Sequence, residues 1–426
     1  MPVQLSCIDC AGGQSALPAS PRLPVWLGLL LICMLAGTAA TLLLWPKNTS
    51  TATPIFWICV LALPFLVWCA LFGIRRMMYE RSLLHRQTEV EMQKSEREAA
   101  IHFASEPLAV VASSYCCAVA NGTLASSILS GAAILKTQPV RKQATQLRHS
   151  ALDLELGARE DLPAALRHAD DSALRYHALF KKLIHPLRTV ILELPAGTAF
   201  DVRLQLPAGE PQKVLLSLWK QAWDAAALPA VSVSLLAEDE GLMLVDQWLD
   251  AYGGPQLQKL SLVVATQLHA APEEGSGEAG VALLLGWPLL ARELGLPLEA
   301  MLHRPVDAHG IPLQAAMSKA LLWGKAMPAD IAQLWQSAVA GDEKAELSRA
   351  AIDNGLAAAQ RQGLSGLAEI DPVLGMLGVV RPWLCTAIAI EHAISSKHAQ
   401  LICCRGTRLQ MAIVQPLAND REMNIT

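Results

Sequence analysis

Two apolar runs, residues 24–45 and 54–74, stand near the start of the chain, parted by the polar stretch 46–53. Each is close to the roughly 20 residues that an α-helix needs to cross a hydrocarbon core, so the pattern predicts a membrane helical hairpin over residues 23–75. Arg75, Arg76, Arg81 and Arg86 crowd the exit of the second run, while the connecting turn holds only Lys47. That asymmetry puts the tail 1–22 and everything after the hairpin on the cytoplasmic side. Trp26, Trp45, Trp57 and Trp68 are candidates for the interfacial aromatic belts. A cleaved signal peptide fits less well, because Leu42, Leu43 and Leu44 prolong the apolar run past its small residues and a second run follows.

From 76 to 105 charges alternate with isolated apolar residues, a pattern that predicts a solvated juxtamembrane helix and shows no sustained heptad. Pro107 closes it, since proline cannot continue a helix. Residues 106–426 then alternate strand-like and helix-like stretches. Strands are expected at 108–119, 189–194, 200–206, 231–236, 260–266 and 279–285, with a turn at Asn121-Gly122. Helices are expected at 161–185, 214–227, 313–322, 328–339, 343–355 and 382–395, and a terminal hairpin pairs 400–404 with 409–414. The fold class is therefore α/β: two transmembrane helices followed by a cytoplasmic layered domain, 106–426, divisible into halves 106–290 and 291–426.

A formal net charge of -4 gives no electrostatic footprint for nucleic acid. Of the ten cysteines, Cys33, Cys59 and Cys69 fall in the apolar runs, and the pairs Cys116-Cys117 and Cys403-Cys404 fall in strand-like segments, as small buried hydrophobes do. A reducing compartment fits. Cys7 and Cys10 have the spacing of half a zinc site, and no second pair completes it. Gly275, Gly277 and Gly280 satisfy G-x-G-x-x-G, but the glycines precede a strand-like run, so no helix N-terminus would face a pyrophosphate. His149, His168, His177, His185, His269, His303, His309, His392 and His398 form no ligand pair and are expected mostly at the surface. Gly363-Leu364-Ser365-Gly366 falls short of a nucleophile elbow. Glu238, Asp239 and Glu240 read as acids complementing a helix start. No catalytic, cofactor-binding or metal-ligating residue emerges.

Residues 260–266 with 277–285, and above all Asp371-Pro372-Val373-Leu374-Gly375-Met376-Leu377-Gly378 ahead of a buried helix and a final hairpin, resemble the thiolase and ketoacyl-synthase fold. In that family the glycine-rich turn carries a catalytic histidine directly after its first glycine, where this chain has Met376. The family's nucleophilic cysteine, at a helix start after a central strand, would fall near 237–242, which reads Ala-Glu-Asp-Glu-Gly-Leu. The resemblance therefore implies the fold without its chemistry.

The layout, an anchored hairpin before a chemically empty thiolase-like domain, also resembles accessory and adaptor proteins of bacterial type VI secretion. The leading expectation is a non-enzymatic adaptor at the bacterial inner membrane. It would contact the bilayer through residues 23–75, a protein cargo or secretion component through the domain, and no nucleic acid. Trp219, Trp223, Trp335 and Trp383 could anchor a partner or fill the core. The alternatives are a membrane-associated acyl- or lipid-processing enzyme of thiolase-like fold, and a structural component oligomerising through Gly28, Ala36, Gly37, Ala39 and Ala40. Oligomeric state stays open.

Overall fold

The computed structural model describes residues 22–46, 52–118, 123–132, 134–140, 145–156, 166, 169–208, 211–251, 258–339 and 341–417. Cys7, Cys10, Lys47, the turn at Asn121-Gly122 and His168 lie outside these residues. The chain divides into two compact units, one running to His102 and one from Phe103 onward.

The first unit is helical. α1 (Leu23–Leu44) is followed by α2 (Pro54–Trp57), a π segment (Ile58–Ala62) and α3 (Leu63–Ala104). The π segment ends just ahead of Pro64. In that register the carbonyl of Cys59 would accept from residue 64, which is a proline without an N–H, so it accepts from Thr41 Oγ1 at 3.3 Å instead. Gly37 lies so close to Pro64 that a Cβ would stand 2.1 Å from Pro64 Cγ. The small residue that sequence offered for contact between copies is thus used inside the hairpin. Both helices are long and apolar enough to cross a membrane. Beyond the apolar run α3 carries an exposed i,i+4 ion pair, Arg76–Glu80 at 3.0 Å, and an exposed His85–Glu89 contact at 3.2 Å, and ends three residues before Pro107.

The second unit begins with β1 (Leu108–Cys117), α4 (Leu124–Leu129), the small hairpin β2 (Lys136–Pro139) and β3 (Gln146–His149), and α5 (Asp171–Leu192). It continues through β4 (Phe200–Gln205), α6 (Gln212–Ala225), β5 (Ser232–Leu235), α7 (Met243–Asp250), β6 (Leu260–Gln267), β7 (Ala279–Gly286) and α8 (Pro288–Glu293). There follow β8 (Ala300–Leu302), β9 (Val306–Asp307), α9 (Leu313–Trp323), β10 (Ile331–Ser337), α10 (Asp342–Asp353), α11 (Ala357–Gln360) and β11 (Leu367–Glu369). The last elements are α12 (Asp371–Leu374), α13 (Arg381–Ser396), β12 (Ala399–Arg405) and β13 (Leu409–Pro416).

The sheet runs β11-β10-β12-β13-β8-β1-β7-β6-β4-β5, with β9 paired to β13. The order contains a duplication. Numbered within themselves, both the first set (β1, β4, β5, β6, β7) and the second (β8, β10, β11, β12, β13) follow 3-2-4-5-1, with the fifth strand antiparallel to both neighbours. β1 and β8 pair antiparallel at the join. Because β6 and β7 are buried on both faces, they read as continuous apolar runs and sort their residues between two cores. Leu262, Val264, Ala282 and Leu284 pack with α5 and α6, whereas Val263, Ala265, Val281 and Leu283 pack with α7 and α13. α13 also touches β10, β12 and β13, so it lies between the two strand sets, and α9 covers the far face of the second. The architecture is layered: helices, strands, helices, strands, helices.

Several expectations need correction. Residues 189–194, read as a strand, hold the end of α5 and its C-cap Glu193, and there Leu183, Ile184, Leu187 and Ile191 keep one buried helical face. Residues 328–339, read as a helix, hold β10, which is buried throughout on both faces and parallel to β11 and β12. A run such as Ile-Ala-Gln-Leu-Trp-Gln-Ser has no period that separates helix from strand. Trp219, Trp223, Trp335 and Trp383 are core residues, none more than 3% exposed, and offer no surface anchor. His149, His177 and His303 are buried rather than superficial.

His303 carries a pH signature. Burial holds its imidazole neutral and pushes its pKa down to about 4, while its Nδ1 lies 3.1 Å from the Trp323 carbonyl. A depressed folded-state pKa means that the unfolded chain takes up a proton first. Stability is therefore full above the ordinary histidine range and is lost as pH falls from about 6.5 toward 4, by up to about 3 kcal/mol. Urea midpoints of the full-length protein in detergent, measured across that range, are expected to fall more steeply than those of His303→Gln. Parallel profiles would remove His303 as the cause.

Candidate functional site

In each half of the duplication a helix of the central layer follows the third strand: α7 after β5, and α13 after β11. The starts of both helices converge with the β12–β13 turn around a cleft of about 530 Å³. Glu238 and Asp239 line it from the β5–α7 loop, Gly378, Val379 and Arg381 from the start of α13, and Gly406 and Thr407 from the turn.

Two strand glutamines hold these pieces together. Gln205, at the end of β4, donates from Nε2 to the carbonyls of Ala237 (2.9 Å) and Glu238 (3.0 Å), and its Oε1 accepts from Trp383 Nε1 at 2.6 Å. Gln410, on β13, accepts from the Leu242 N–H at 3.2 Å. Gly241 beside it adopts φ +46, and a Cβ there would come within 3.3 Å of Gln410 Oε1. Arg381 Nη1 donates to the Arg405 carbonyl at 2.8 Å, which ties α13 to the turn. Glutamines inside strands give a sequence reader no chemical signal. Their burial, 1% and 3% exposed, is what marks them.

The cleft's described side chains supply two carboxylates, one guanidinium and one hydroxyl, with no thiol and no imidazole among them. Three acids, Glu238 to Glu240, stand directly before α7, and Glu240 Oε2 accepts from the Ala237 N–H at 3.1 Å. Nearby Cys385 is fully buried, and burial first, then its contact with Cys404, pushes its thiol well up. Cys403 is likewise raised by burial. Thiols so placed stay protonated and are poor nucleophiles. Thr407, exposed on the turn, has no partnered base in the cleft.

Met376, which stands where the resemblance would place a histidine, turns away from this chemistry. Its side chain is 51% exposed and does not line the cleft. Its backbone interlocks with the β6–β7 loop: Met376 N donates to Gly275 O at 2.7 Å, and Gly277 N donates to Met376 O at 2.9 Å. Gly277 is needed for this contact, while Gly280 makes room for Leu179 and Leu183 of α5. A Cβ on Gly277 would stand 2.2 Å from the Leu374 carbonyl, and Gly375, at φ +81, admits none within 2.5 Å of Gly275 O. The glycines permit two turns to touch, and β7 rather than a helix follows them.

Among the described residues no group of three or more His, Cys, Asp or Glu side chains is arranged to hold a metal ion. A larger cavity, about 750 Å³, runs along α5 beside His177 and Lys181. No strand end or start of a central-layer helix delivers reactive groups to it, so the smaller cleft is the better candidate despite its size.

No protein-family model matches the chain, and no curated protein matches it by sequence. Solved structures do match. The ketosynthase from module 6 of the Bacillus subtilis 168 bacillaene synthase superposes with a TM-score of 0.52 at 12% identity, covering 74% of this chain and 71% of its own. The module 1 ketosynthase of the Bacillus amyloliquefaciens FZB42 bacillaene synthase gives 0.50 at 14%, over 74% and 77%. A chain of a type II polyketide synthase complex between a ketosynthase and its acyl-carrier protein gives 0.50 at 13%, over 73% and 100%. The fold is thiolase-like, of ketosynthase type. At such identities the likeness concerns the backbone alone, and the chemistry of this ketosynthase-like body has to be read from its own side chains.

Proposed function

We propose that this chain is a membrane-anchored, non-catalytic docking protein. In this reading the hairpin fixes a ketosynthase-like body to the cytoplasmic face of a bacterial inner membrane. One observation carries it: the loop before α7 bears three carboxylates, Glu238 to Glu240, and no thiol, and the turn before α13 bears Met376, so nucleophile and imidazole are both missing from the places where this fold's resemblance calls for them. Carboxylates at a helix start complement the dipole, yet they also repel the thiolate and the enolate or oxyanion charge that acyl condensation develops. What remains in the cleft, acids opposite an arginine on a rigid glutamine-braced frame, suits recognition of a polar protein segment. The layout resembles type VI secretion accessory proteins, and on that resemblance the cargo is an effector to be recruited or loaded.

Full-length protein in detergent, incubated with acyl thioesters, is expected to keep its unmodified intact mass. It is also expected to retain, at defined stoichiometry, a protein encoded alongside it, and to lose that partner on Glu238→Lys with Asp239→Lys. An acyl adduct, or thioester turnover that Glu238→Gln abolishes, would establish an enzyme instead.

A further inference from the structure

The hairpin has two chemically different ends. At one, Trp26 meets Phe72 edge-on with ring centroids 5.3 Å apart, Trp68 stacks on Phe72 at 5.4 Å, and Trp68 Nε1 donates to the Trp26 carbonyl at 2.8 Å. At the other, Trp45 meets Phe56 edge-on at 5.0 Å and Phe56 meets Trp57 at 5.9 Å. Trp26 and Trp45 are separated along α1 by about 28 Å at the helical rise per residue. That matches a hydrocarbon core of about 30 Å, so the two clusters fall at its two surfaces.

The Trp26–Phe72 contact also sets the register of the two helices. Arg22 lies one turn before Trp26, and Arg75 and Arg76 lie one turn after Phe72, so all three come to the same level just outside the aromatic cluster; Arg81 follows within two further turns. All four are exposed. Among the described residues only Arg76 has a carboxylate partner, Glu80 at 3.0 Å. The described residues at the opposite end, 45–46 and 52–58, include no charged side chain.

We infer that Arg22, Arg75, Arg76 and Arg81 form a collar that binds the phosphate-bearing head groups of anionic phospholipids; this rests on the membrane reading above. The collar sits at head-group depth, its guanidinium forks match phosphate oxygens, and three of the four lack, among the described residues, a protein anion to neutralise them. An arginine at that depth gains from a negatively charged leaflet. Sequence points to Arg75, Arg76 and Arg81; only the register of the folded hairpin adds Arg22.

The test uses the full-length protein and its Arg22→Gln/Arg75→Gln/Arg81→Gln variant, each reconstituted into vesicles of phosphatidylcholine with phosphatidylglycerol. Each protein is then re-extracted in mild detergent, and the lipid it retains is quantified. The wild type is expected to retain phosphatidylglycerol at least about threefold above its share of the vesicle, and the variant close to that share. Retention in the vesicle's own ratio by the wild type, or equal enrichment by the variant, would overturn the collar. Failure of the wild type to float with vesicles of phosphatidylcholine alone would overturn the membrane reading, and the collar with it.

Discussion

Glu278→Ala is expected to cost about 3–5 kcal/mol, enough to unfold much of a body whose total stability is of ordinary size. Glu278 and Arg175 are 4% and 6% exposed and form a two-pronged ion pair, with Arg175 Nη1 3.0 Å from Glu278 Oε1 and Nη2 on Oε2. The same carboxylate accepts from the Leu152 N–H at 2.8 Å and from the His269 N–H at 3.0 Å. One side chain thus joins α5, the segment after β3 and the exit of β6. Alanine would leave a buried guanidinium without its anion and two backbone donors without an acceptor, and each of these is costly alone. The double change Arg175→Met/Glu278→Leu removes both charges and should recover a good part of the loss, because apolar replacements of a buried pair often match it. Urea unfolding of the full-length protein in detergent reads both effects. A Glu278→Ala midpoint equal to wild type would show that the pair is not a structural tie.

Deleting residues 23–75 should move the protein entirely from the carbonate-washed membrane pellet to the supernatant. The hairpin exposes its apolar side chains as no water-soluble surface does: Leu31 is 65% exposed, Leu43 85%, Leu44 83% and Leu66 65%. Each such leucine gains roughly 1.5–3 kcal/mol on leaving water, and internal packing covers the Gly37–Pro64, Thr41–Cys59, Trp26–Phe72 and Trp45–Phe56 faces while leaving these leucines out. A bilayer would satisfy the rest, since both helices already pair nearly all their backbone groups internally. Full-length protein found in the supernatant would defeat the anchor, and with it the docking function proposed for the membrane face.

Local pattern is a faithful guide where a segment's neighbours in sequence are also its physical environment. The apolar runs, the charged continuation of α3, the final β12–β13 hairpin with its turn at Gly406, and α13 were all legible. So was the thiolase-like fold, through the glycine-rich turn at 371–378 and the strands around it. β10 is buried by elements distant in the chain, which erases the polar face that a periodicity needs, whereas the end of α5 keeps an exposed face and a six-residue window there is too short to separate the two periods. The cleft was half legible. Its acids and the missing nucleophile could be seen at 237–242, but its frame could not, because Gln205, Trp383 and Gln410 come from three strands and helices up to about two hundred residues apart and carry no motif.

By itself, then, the order of residues determined the two long apolar helices, the class of fold and the absence of a thiol before α7, since these depend on composition within a window of some twenty residues. Tertiary structure alone decided the doubled 3-2-4-5-1 strand order, the role of Gly275 and Gly277 as a seat for the 371–378 turn, and the level to which Arg22 rises beside Arg75. The physical reason is common to all three: each is a contact between segments whose separate sequences are compatible with many partners, and the energy that selects one partner exists only once both surfaces have left water.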